Sequence, residues 1–191
     1  MCGIIGAISN SNVVPTLVNS MRLMEYRGYD SSGIAVINPE GDLDRRRCVG
    51  KVEKLAESLS NGSQLSGSIG IGHTRWATHG AAEERNAHPI ACRDEIAVVC
   101  NGIIENYEEL KDQHLVDGII YDSETDTEVI VHEILGGINS GLDLHAAVSG
   151  TVAKLEGSFA FAALSVADPE KIVVAKRGSP LLIGLGNDEV F

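Results

Sequence analysis

The sequence predicts an α+β fold in which β-sheets pack together and helices cover their outer faces. Two observations support this. Apolar segments with strand character stand at both ends of the 191-residue chain, whereas segments with helical periodicity lie mostly between them. The order also lacks the regular alternation of strand and helix that a parallel α/β sheet requires. Hydrophobic residues make up 43% of the chain, which is enough to bury the core of one domain over residues 1–191.

The first half of the chain is expected to hold four strands and two helices. Short apolar runs that end at Gly, Ser or Asn predict strands over residues 2–9, 32–37, 43–50 and 68–73. Apolar residues one helical turn apart predict a helix over residues 13–26, and Asn12 suits its N-cap. A second helix is expected over residues 52–59, and a loop over residues 74–89.

The second half begins with a compact apolar strand over residues 95–100, which ends at Asn101-Gly102. A helix is expected over residues 107–114. Thr125 and Glu128 form a capping-box pattern, which predicts that a strong helix starts at Thr125. The remaining expectations are a helix over residues 142–155 and strands over residues 158–165, 171–177 and 181–185.

Charge and cysteine content exclude several classes of protein. The formal net charge of −12 repels phosphate backbones, so no nucleic-acid partner is expected. The four cysteines contain no CxxC pair, which argues against a disulfide scaffold and favours a reducing compartment. No segment approaches the ~18 apolar residues of a membrane span, and no export signal opens the sequence. We therefore expect a cytoplasmic protein without a membrane partner.

Cys2 follows the initiator methionine directly, and two interpretations of it remain open. A small apolar cysteine is a common first residue of a buried strand. Removal of Met1 would instead leave a thiol and a free α-amine on one residue. An α-amine has an ordinary pKa of about 7.7–8.0, so near neutral pH it can accept a proton from the thiol and activate it as a nucleophile.

The segment from residue 73 to residue 80 is the densest in side chains capable of chemistry. Arg75 could pair with an acid of a surface loop, or it could hold a carboxylate ligand through two parallel N–H donors. Trp76, the only tryptophan, could simply cover an edge of the core. His73, His79 and His88 have no spacing typical of zinc ligands, so no metal is expected.

Two further positions also have competing interpretations. Asn-Gly is typical of hairpin turns, so a turn is the favoured prediction for Asn101-Gly102. The alternative is an oxyanion hole, formed by the Asn amide and the Gly backbone N–H. Asp126 is expected in a first helical turn, where acids are common, and its carboxylate could pair with a substrate ammonium.

A series of motifs, taken in order, resembles one enzyme family. The motifs are CGIIG from Cys2, YRGYDSSG from Tyr26, HTRWATHG from His73, NAHP from Asn86, NGIIEN from Asn101 and SETDTE from Ser123. Over essentially its whole length, the chain resembles the glutaminase domain (glutamine amidotransferase type 2) of the glutamine–fructose-6-phosphate aminotransferases, also called glucosamine-6-phosphate synthases.

The resemblance implies an N-terminal nucleophile hydrolase fold, two stacked antiparallel sheets between outer layers of helices (αββα). It implies that Cys2 hydrolyses L-glutamine through a thioester, with its own α-amine as the base and with no cofactor. The implied oxyanion hole is Asn101 with Gly102. The residues that it implies for substrate binding are Arg75 for the α-carboxylate, Trp76, Thr78 and His79 in a closing loop, and Asp126 for the α-ammonium.

The resemblance also implies partners, and it leaves alternatives open. The family's sugar-phosphate isomerase domains are absent from these residues, and the full-length enzyme is expected to be a homo-oligomer. Tyr26 and Tyr29 disfavour amidophosphoribosyltransferases, which typically have His and Gln there. Cys100 departs from the His that relatives often have. The alternatives are the glutaminase domain of another amidotransferase, a glutamine-sensing module without turnover, and a purely structural domain.

Overall fold

The computed structural model describes residues 2–62 and 64–191 of the chain. Met1, whose removal the nucleophile hypothesis requires, lies outside the described residues. Two antiparallel sheets stack face to face, and helices cover both outer faces. The αββα sandwich expected from the sequence is therefore confirmed. Among the described residues, no helix has the length and apolar character needed to cross a membrane.

The first sheet contains five strands in the spatial order β3-β2-β4-β1-β9. Its strands are β1 (Gly3–Ser9), β2 (Ser31–Ile37), β3 (Leu43–Val49), β4 (Ile69–Arg75) and β9 (Glu189–Val190). The second sheet contains four strands in the order β5-β6-β7-β8. Its strands are β5 (Ile90–Cys92), β6 (Ile96–Ile104), β7 (Gly157–Ser165) and β8 (Ile172–Arg177). All strand pairs within these two sheets are antiparallel.

Five α-helices accompany the sheets in the described part of the chain. They are α1 (Val14–Met24), α2 (Val52–Asn61), α3 (Tyr107–Val116), α4 (Thr127–Asn139) and α5 (Leu144–Lys154). Helices α1 and α2 cover the first sheet, and α4 and α5 cover the second. The predicted N-cap at Asn12 is wrong, because Val13 stands directly before α1 and has no side chain that could cap it. Asn12 still helps to hold the start of the helix, since its Oδ1 accepts the Val14 N–H at 3.1 Å.

The central strands are buried on both faces, which explains why the sequence shows continuous apolar runs. In β2, Ile34 and Val36 pack against α1 and α2, whereas Ala35 and Ile37 pack between the two sheets. Strand β6 follows the same pattern, with alternate residues facing α4 and the first sheet. A strand with two buried faces loses the alternation of apolar and polar residues.

The predicted turn at Asn101-Gly102 is wrong, because β6 runs through both residues and stays paired with β7 to Ile104. Gly102 has a φ of +134°, and a Cβ added there would lie 2.2 Å from the Ser158 carbonyl oxygen. Only glycine combines this backbone conformation with so close a neighbouring strand. The Asn-Gly pair therefore lies within a strand here and not in a hairpin turn.

The predicted capping box at Thr125 is also wrong. Helix α4 begins at Thr127, so Asp126 stands directly before the helix and not in its first turn. The Glu128 carboxylate does reach back along the chain, but it accepts the backbone N–H groups of Asp122 and Ser123. Thr125 is instead bonded through its hydroxyl to the Ser123 hydroxyl at 2.9 Å.

The start of the predicted loop over residues 74–89 was misplaced. Strand β4 continues through Thr74 and Arg75, which pair with β2 although both residues are polar and buried. The short strand β5, which begins directly after this loop, was missed. In both places pairing with a neighbouring strand, which the local sequence does not show, determines the structure.

The predicted strand over residues 181–185 does not form. Leu182 is 90% exposed and Ile183 is 67% exposed. The main chain of this segment folds back on the end of the described chain, where Gly184 and Phe191 exchange two hydrogen bonds of 2.7 and 2.9 Å. An apolar run without a full neighbouring strand cannot form a sheet ladder.

A pair of buried histidines connects the two sheets. His73 on β4 stacks on His88 with 4.4 Å between the ring centroids, and its Nε2 donates to the Cys100 carbonyl oxygen on β6 at 3.0 Å. Burial lowers the pKa of His73 to about 3, although its hydrogen bond to Cys100 opposes the shift. The charge of Arg75 adds to the shift. His73 is therefore a neutral donor in the folded protein.

Leu17→Ala should test the contribution of α1 to the core. Leu17 is fully buried against the first sheet. Its truncation should reduce the free energy of unfolding by about 2–5 kcal/mol through lost burial and a residual cavity. Urea denaturation measures this loss. The matched control is Leu23→Ala on the same helix, where the side chain is 80% exposed and a change within about 0.5 kcal/mol is expected. Equal effects at both positions would contradict the described packing.

The buried state of His73 should make the fold sensitive to acid. Between pH 6.5 and about 3 the unfolded chain binds a proton at this histidine and the folded chain does not. The free energy of unfolding should therefore fall on acidification, by at most about 1.4 kcal/mol per pH unit from this group. His73→Gln keeps a donor for Cys100 and cannot titrate, so its pH slope should be smaller. Identical slopes in urea titrations across this range would refute the prediction.

Candidate active site

One cavity of about 320 Å³ contains every residue for which the sequence suggested a site role. It lies where the start of β1, the end of β4, the middle of β6 and the segment before α4 meet. The predicted residues that line it are Cys2, Arg75, Trp76, Thr78, His79, Asn101, Gly102 and Asp126. The other lining residues are His88, Cys100, Ile103, Thr125 and Thr127.

Cys2 stands immediately before β1, and its sulfur faces the end of β4. The Trp76 backbone N–H donates to Cys2 Sγ at 3.3 Å. Burial raises the pKa of the Cys2 thiol, whereas the Trp76 contact and the positive charge of Arg75 oppose that shift. A thiol in this environment stays protonated near neutral pH, so a nucleophilic role requires a base that removes its proton.

Asn101 places a side-chain amide beside Cys2. Its Nδ2 donates to the Cys2 carbonyl oxygen at 3.2 Å. Gly102 follows it on β6, with the strand geometry that excludes any side chain. The Asn101 side-chain amide and the Gly102 main chain therefore border the cavity close to Cys2. Such groups can stabilise a developing oxyanion if it forms within hydrogen-bond reach.

Arg75 is the last residue of β4, and it is only 3% exposed. Its guanidinium donates to three main-chain carbonyl oxygens of the following loop, those of His79, Ala81 at 3.1 Å and Gly80 at 3.2 Å. Burial lowers the pKa of Arg75, and the neighbouring acidic groups Asp30 and Asp126 oppose this. Arg75 thus holds the loop over residues 79–81 against the cavity, a contact that the sequence did not predict.

Trp76, Thr78 and His79 belong to the loop that follows β4. Trp76 is 45% exposed, and its ring meets Tyr29 edge to face with 5.8 Å between centroids. The His79 ring packs edge to face on Tyr107 at 5.5 Å. Aromatic contacts to two different segments therefore support this loop from both sides.

Asp126 is the acid of the cavity. It is 6% exposed, and its Oδ2 accepts the Ile104 backbone N–H at 2.9 Å. Burial raises the pKa of Asp126, while this hydrogen bond and the nearby His79 ring oppose the shift. The side chain is held by one main-chain donor and lines the cavity that Arg75 also lines. The cavity consequently combines a cation and an acid, the pair that an α-amino acid needs.

Sequence reasoning missed a clamp between the loop and the segment before α4. Asn86 is fully buried, and its Oδ1 accepts the Glu124 N–H at 2.8 Å. Its Nδ2 donates to the Ala81 carbonyl oxygen at 3.1 Å and to a Glu124 carboxylate oxygen at 3.1 Å. The quoted NAHP motif contains this residue. A single asparagine in a polar loop, however, gives no indication of its burial.

The motif that starts at Tyr26 also supports the site. Asp30 Oδ2 accepts the Ala77 N–H at 2.9 Å. A Cβ added at Gly28 would lie 2.6 Å from the Arg75 carbonyl carbon and 2.7 Å from the Trp76 nitrogen. Glycine is required here because the backbone passes against the end of β4. These residues therefore fix the main chain that donates to Cys2.

These contacts define what the cavity can do chemically. It offers a thiol, an adjacent amide, a cation and an acid around one cavity. Within residues 2–62 and 64–191, no three His, Cys, Asp or Glu side chains gather in a way that suits a metal ion. The arrangement fits nucleophilic attack by sulfur on a small zwitterionic substrate.

Comparison with known proteins places the chain in a family. Residues 73–189 match the model of a glutamine amidotransferase domain. The chain is 51% identical over all 191 residues to a glutamine–fructose-6-phosphate aminotransferase (isomerizing) of Pseudomonas aeruginosa, and 48% identical over 191 residues to that of Shewanella oneidensis. In both comparisons it spans 31% of the length of the relative.

Solved structures give the same fold. The chain matches a glutamine phosphoribosylpyrophosphate amidotransferase from B. subtilis with a TM-score of 0.79 and 25% identity, over 100% of this chain and 41% of the other. An allosteric regulatory enzyme of purine biosynthesis matches with a TM-score of 0.82 and 24% identity, with the same two coverages. By the family match and the extent of its identity to these aminotransferases, the chain belongs to the glutamine amidotransferase domain family.

Proposed function

We propose that this chain hydrolyses L-glutamine to glutamate and ammonia, with Cys2 as the nucleophile. The observation that supports this best is that Cys2, Arg75 and Asp126 line one cavity. Glutamine is a zwitterion with a carboxamide at the end of a short chain. Arg75 binds its α-carboxylate, Asp126 binds its α-ammonium, and the carboxamide reaches the sulfur. Trp76, Thr78 and His79 close over the bound substrate.

The reaction begins with transfer of the thiol proton to the α-amine of Cys2, which is free once Met1 has been removed. The sulfur attacks the carboxamide carbon and forms a C–S bond, and the carbonyl oxygen becomes an oxyanion. Asn101 and Gly102 donate hydrogen bonds to that oxyanion. The α-ammonium then protonates the departing amine, the C–N bond breaks, and ammonia leaves. Water attacks the thioester and releases glutamate and the thiol.

The raised pKa of the Cys2 thiol agrees with this scheme. Because burial disfavours a resident thiolate, the thiol needs a base that takes its proton. A base on the same residue is already within reach of the sulfur. No cofactor is needed, because every bond change involves only sulfur, the amine, the substrate and water.

The larger role is inferred from the relatives. Residues 1–191 act as one glutaminase unit, and the relatives that the chain matches are about three times as long. We infer a cytoplasmic, homo-oligomeric enzyme in which downstream isomerase domains use the ammonia to convert fructose 6-phosphate to glucosamine 6-phosphate. The identity of 51% to the aminotransferase favours this over service to an amidophosphoribosyltransferase, for which the identity is 25%.

Cys2→Ala should abolish ammonia release from glutamine, because it removes the sulfur and leaves the α-amine. Production of ammonia and glutamate measures the loss. Intact-mass analysis of the wild-type sample identifies chains that retain Met1. These chains should be inactive, because their base is a peptide nitrogen. In the wild type, a chloroketone analogue of glutamine should add one mass increment, located at Cys2 and not at Cys48, which is also partly exposed. Turnover by the variant would refute the assignment, and failure to label would favour a purely structural domain.

Asn101→Ala should lower kcat by about 10²–10³-fold, the usual effect of losing one oxyanion donor. The KM for glutamine should change little, because this donor acts on charge that develops during the reaction. Steady-state ammonia production separates the two parameters. Asn106→Ala is a control outside the cavity, with bonds to Lys154 and Glu156 only. A loss confined to KM in Asn101→Ala would contradict the oxyanion role.

A further inference from the structure

Glu128 is a buried acid that does not line the cavity, yet it organises a segment that does. It is 3% exposed, in the first turn of α4. One carboxylate oxygen accepts the Asp122 N–H at 2.8 Å, and the other accepts the Ser123 N–H at 2.6 Å. The side chain thereby closes residues 122–128 into a loop. Nothing in the reaction scheme above uses this carboxylate.

The closed loop carries two acids that make different contacts. Glu124 receives the Ala81 N–H and the Asn86 amide, and so contacts the loop after β4. Asp126 lines the cavity. Helix α4 fixes the end of this loop, and Glu128 fixes its start. Asp126 lies between the two anchors and also accepts the Ile104 N–H at 2.9 Å, so its position depends on all three contacts.

Glu128 is itself held in place from behind. The His132 Nε2 lies 3.4 Å from one of its oxygens, and the His132 ring packs on Tyr121 with 4.8 Å between centroids. Burial raises the pKa of Glu128, but hydrogen bonds from His132 and Ser123 outweigh burial and hold it below its usual value. The group is therefore a carboxylate. Only a carboxylate offers both oxygens as acceptors for two main-chain donors.

We propose that Glu128 is a positioning residue that holds Asp126 where the substrate α-ammonium binds, so that it governs selection of substrates by that ammonium. This inference rests on the proposed function. Glu128 does not touch the substrate. Its carboxylate fixes the main chain from residue 122 to residue 126, and that main chain sets the distance between Asp126 and the ammonium.

The experiment compares glutamine with glutaramate, which has the same carboxylate and carboxamide but lacks the α-amino group. Glu128→Gln keeps the shape and one acceptor oxygen, and replaces the other by a donor. The KM for glutamine should rise about tenfold, because a charged hydrogen bond is weakened, while kcat stays within about twofold. The inhibition constant for glutaramate should not change, because that ligand makes no contact with Asp126. A role in stability alone would weaken both ligands equally.

The matched control is Glu133→Gln on the same helix. Glu133 is a partly buried acid whose hydrogen bonds go to His114 at 3.1 Å and to Lys154 at 2.6 Å, and not to residues 122–126. Its replacement should leave the KM for glutamine unchanged. Glu128→Asp is a second variant that keeps the charge and loses the reach to both N–H groups, so it should show the same selective rise in KM. All variants are assayed at a temperature at which circular dichroism shows them folded.

The outcomes separate this inference from the proposed function. A wild-type protein without Cys2-dependent turnover would refute the function itself. Turnover by the wild type, with equal weakening of glutamine and glutaramate in both Glu128 variants, would overturn the positioning role. An unchanged KM in both variants would overturn it as well. A loss specific to glutamine that disappears in an Asp126→Asn background supports it, because the two residues then act on one contact.

Discussion

The site depends on one strand pairing, that of β1 with β4. Gly3 pairs with Thr74, and the Gly3 N–H also donates to the Thr74 hydroxyl at 3.2 Å. Cys2 before Gly3 and Trp76 after β4 therefore meet at the same end of the sheet. A slip of one residue would turn every side chain of the pair to the opposite face. A Cβ at Gly3 would lie 2.7 Å from the Thr74 hydroxyl oxygen, so glycine is needed for this register.

The second sheet and two loops complete the cavity around that pairing. Strand β6 delivers Asn101 and Gly102 from the opposite layer of the sandwich, so the proposed reacting groups stand on paired strands or directly before one. Arg75 ends β4, whereas the other groups proposed to bind substrate stand on less regular segments that are connected to each other, mainly through Asn86 and Glu124. Regular strands hold the chemistry in place, and the loops can adapt to a ligand.

The sequence predicts much of this architecture because its strands and helices follow simple rules. Most expected elements occur within a few residues of the predicted bounds, and the helices cover the outer faces as expected. The failures share a cause. The continuation of β6 through Gly102 and that of β4 through Arg75 depend on strand partners far away in the sequence. The local sequence is typical of a turn at Gly102 and is polar at Arg75. In both places it favours a turn or loop over the strand that forms.

The candidate site was predicted differently from the fold. Separate interpretations of Cys2, Arg75 and Asp126 left alternatives open, and the combined motifs decided between them. The structure brings these residues to one cavity. The supporting contacts of Asn86 and Asp30 could not be predicted, because a side chain that bonds to main-chain groups 38 or 47 residues away leaves no local pattern. The sequence did predict that Glu128 reaches back to a nearby residue, but its main-chain partners are Asp122 and Ser123 and not Thr125.

The bonds of Arg75 to the loop carbonyls have a consequence for ligand affinity. Its guanidinium already holds oxygens of residues 79–81, so an incoming carboxylate meets a cation with competing acceptors. Each of these bonds that the ligand replaces is lost to the loop. If Arg75 binds the carboxylate as proposed, ligand capture and loop rearrangement are a single exchange of oxygen acceptors around one cation, and a change that tightens the loop's own hold on Arg75 weakens the ligand.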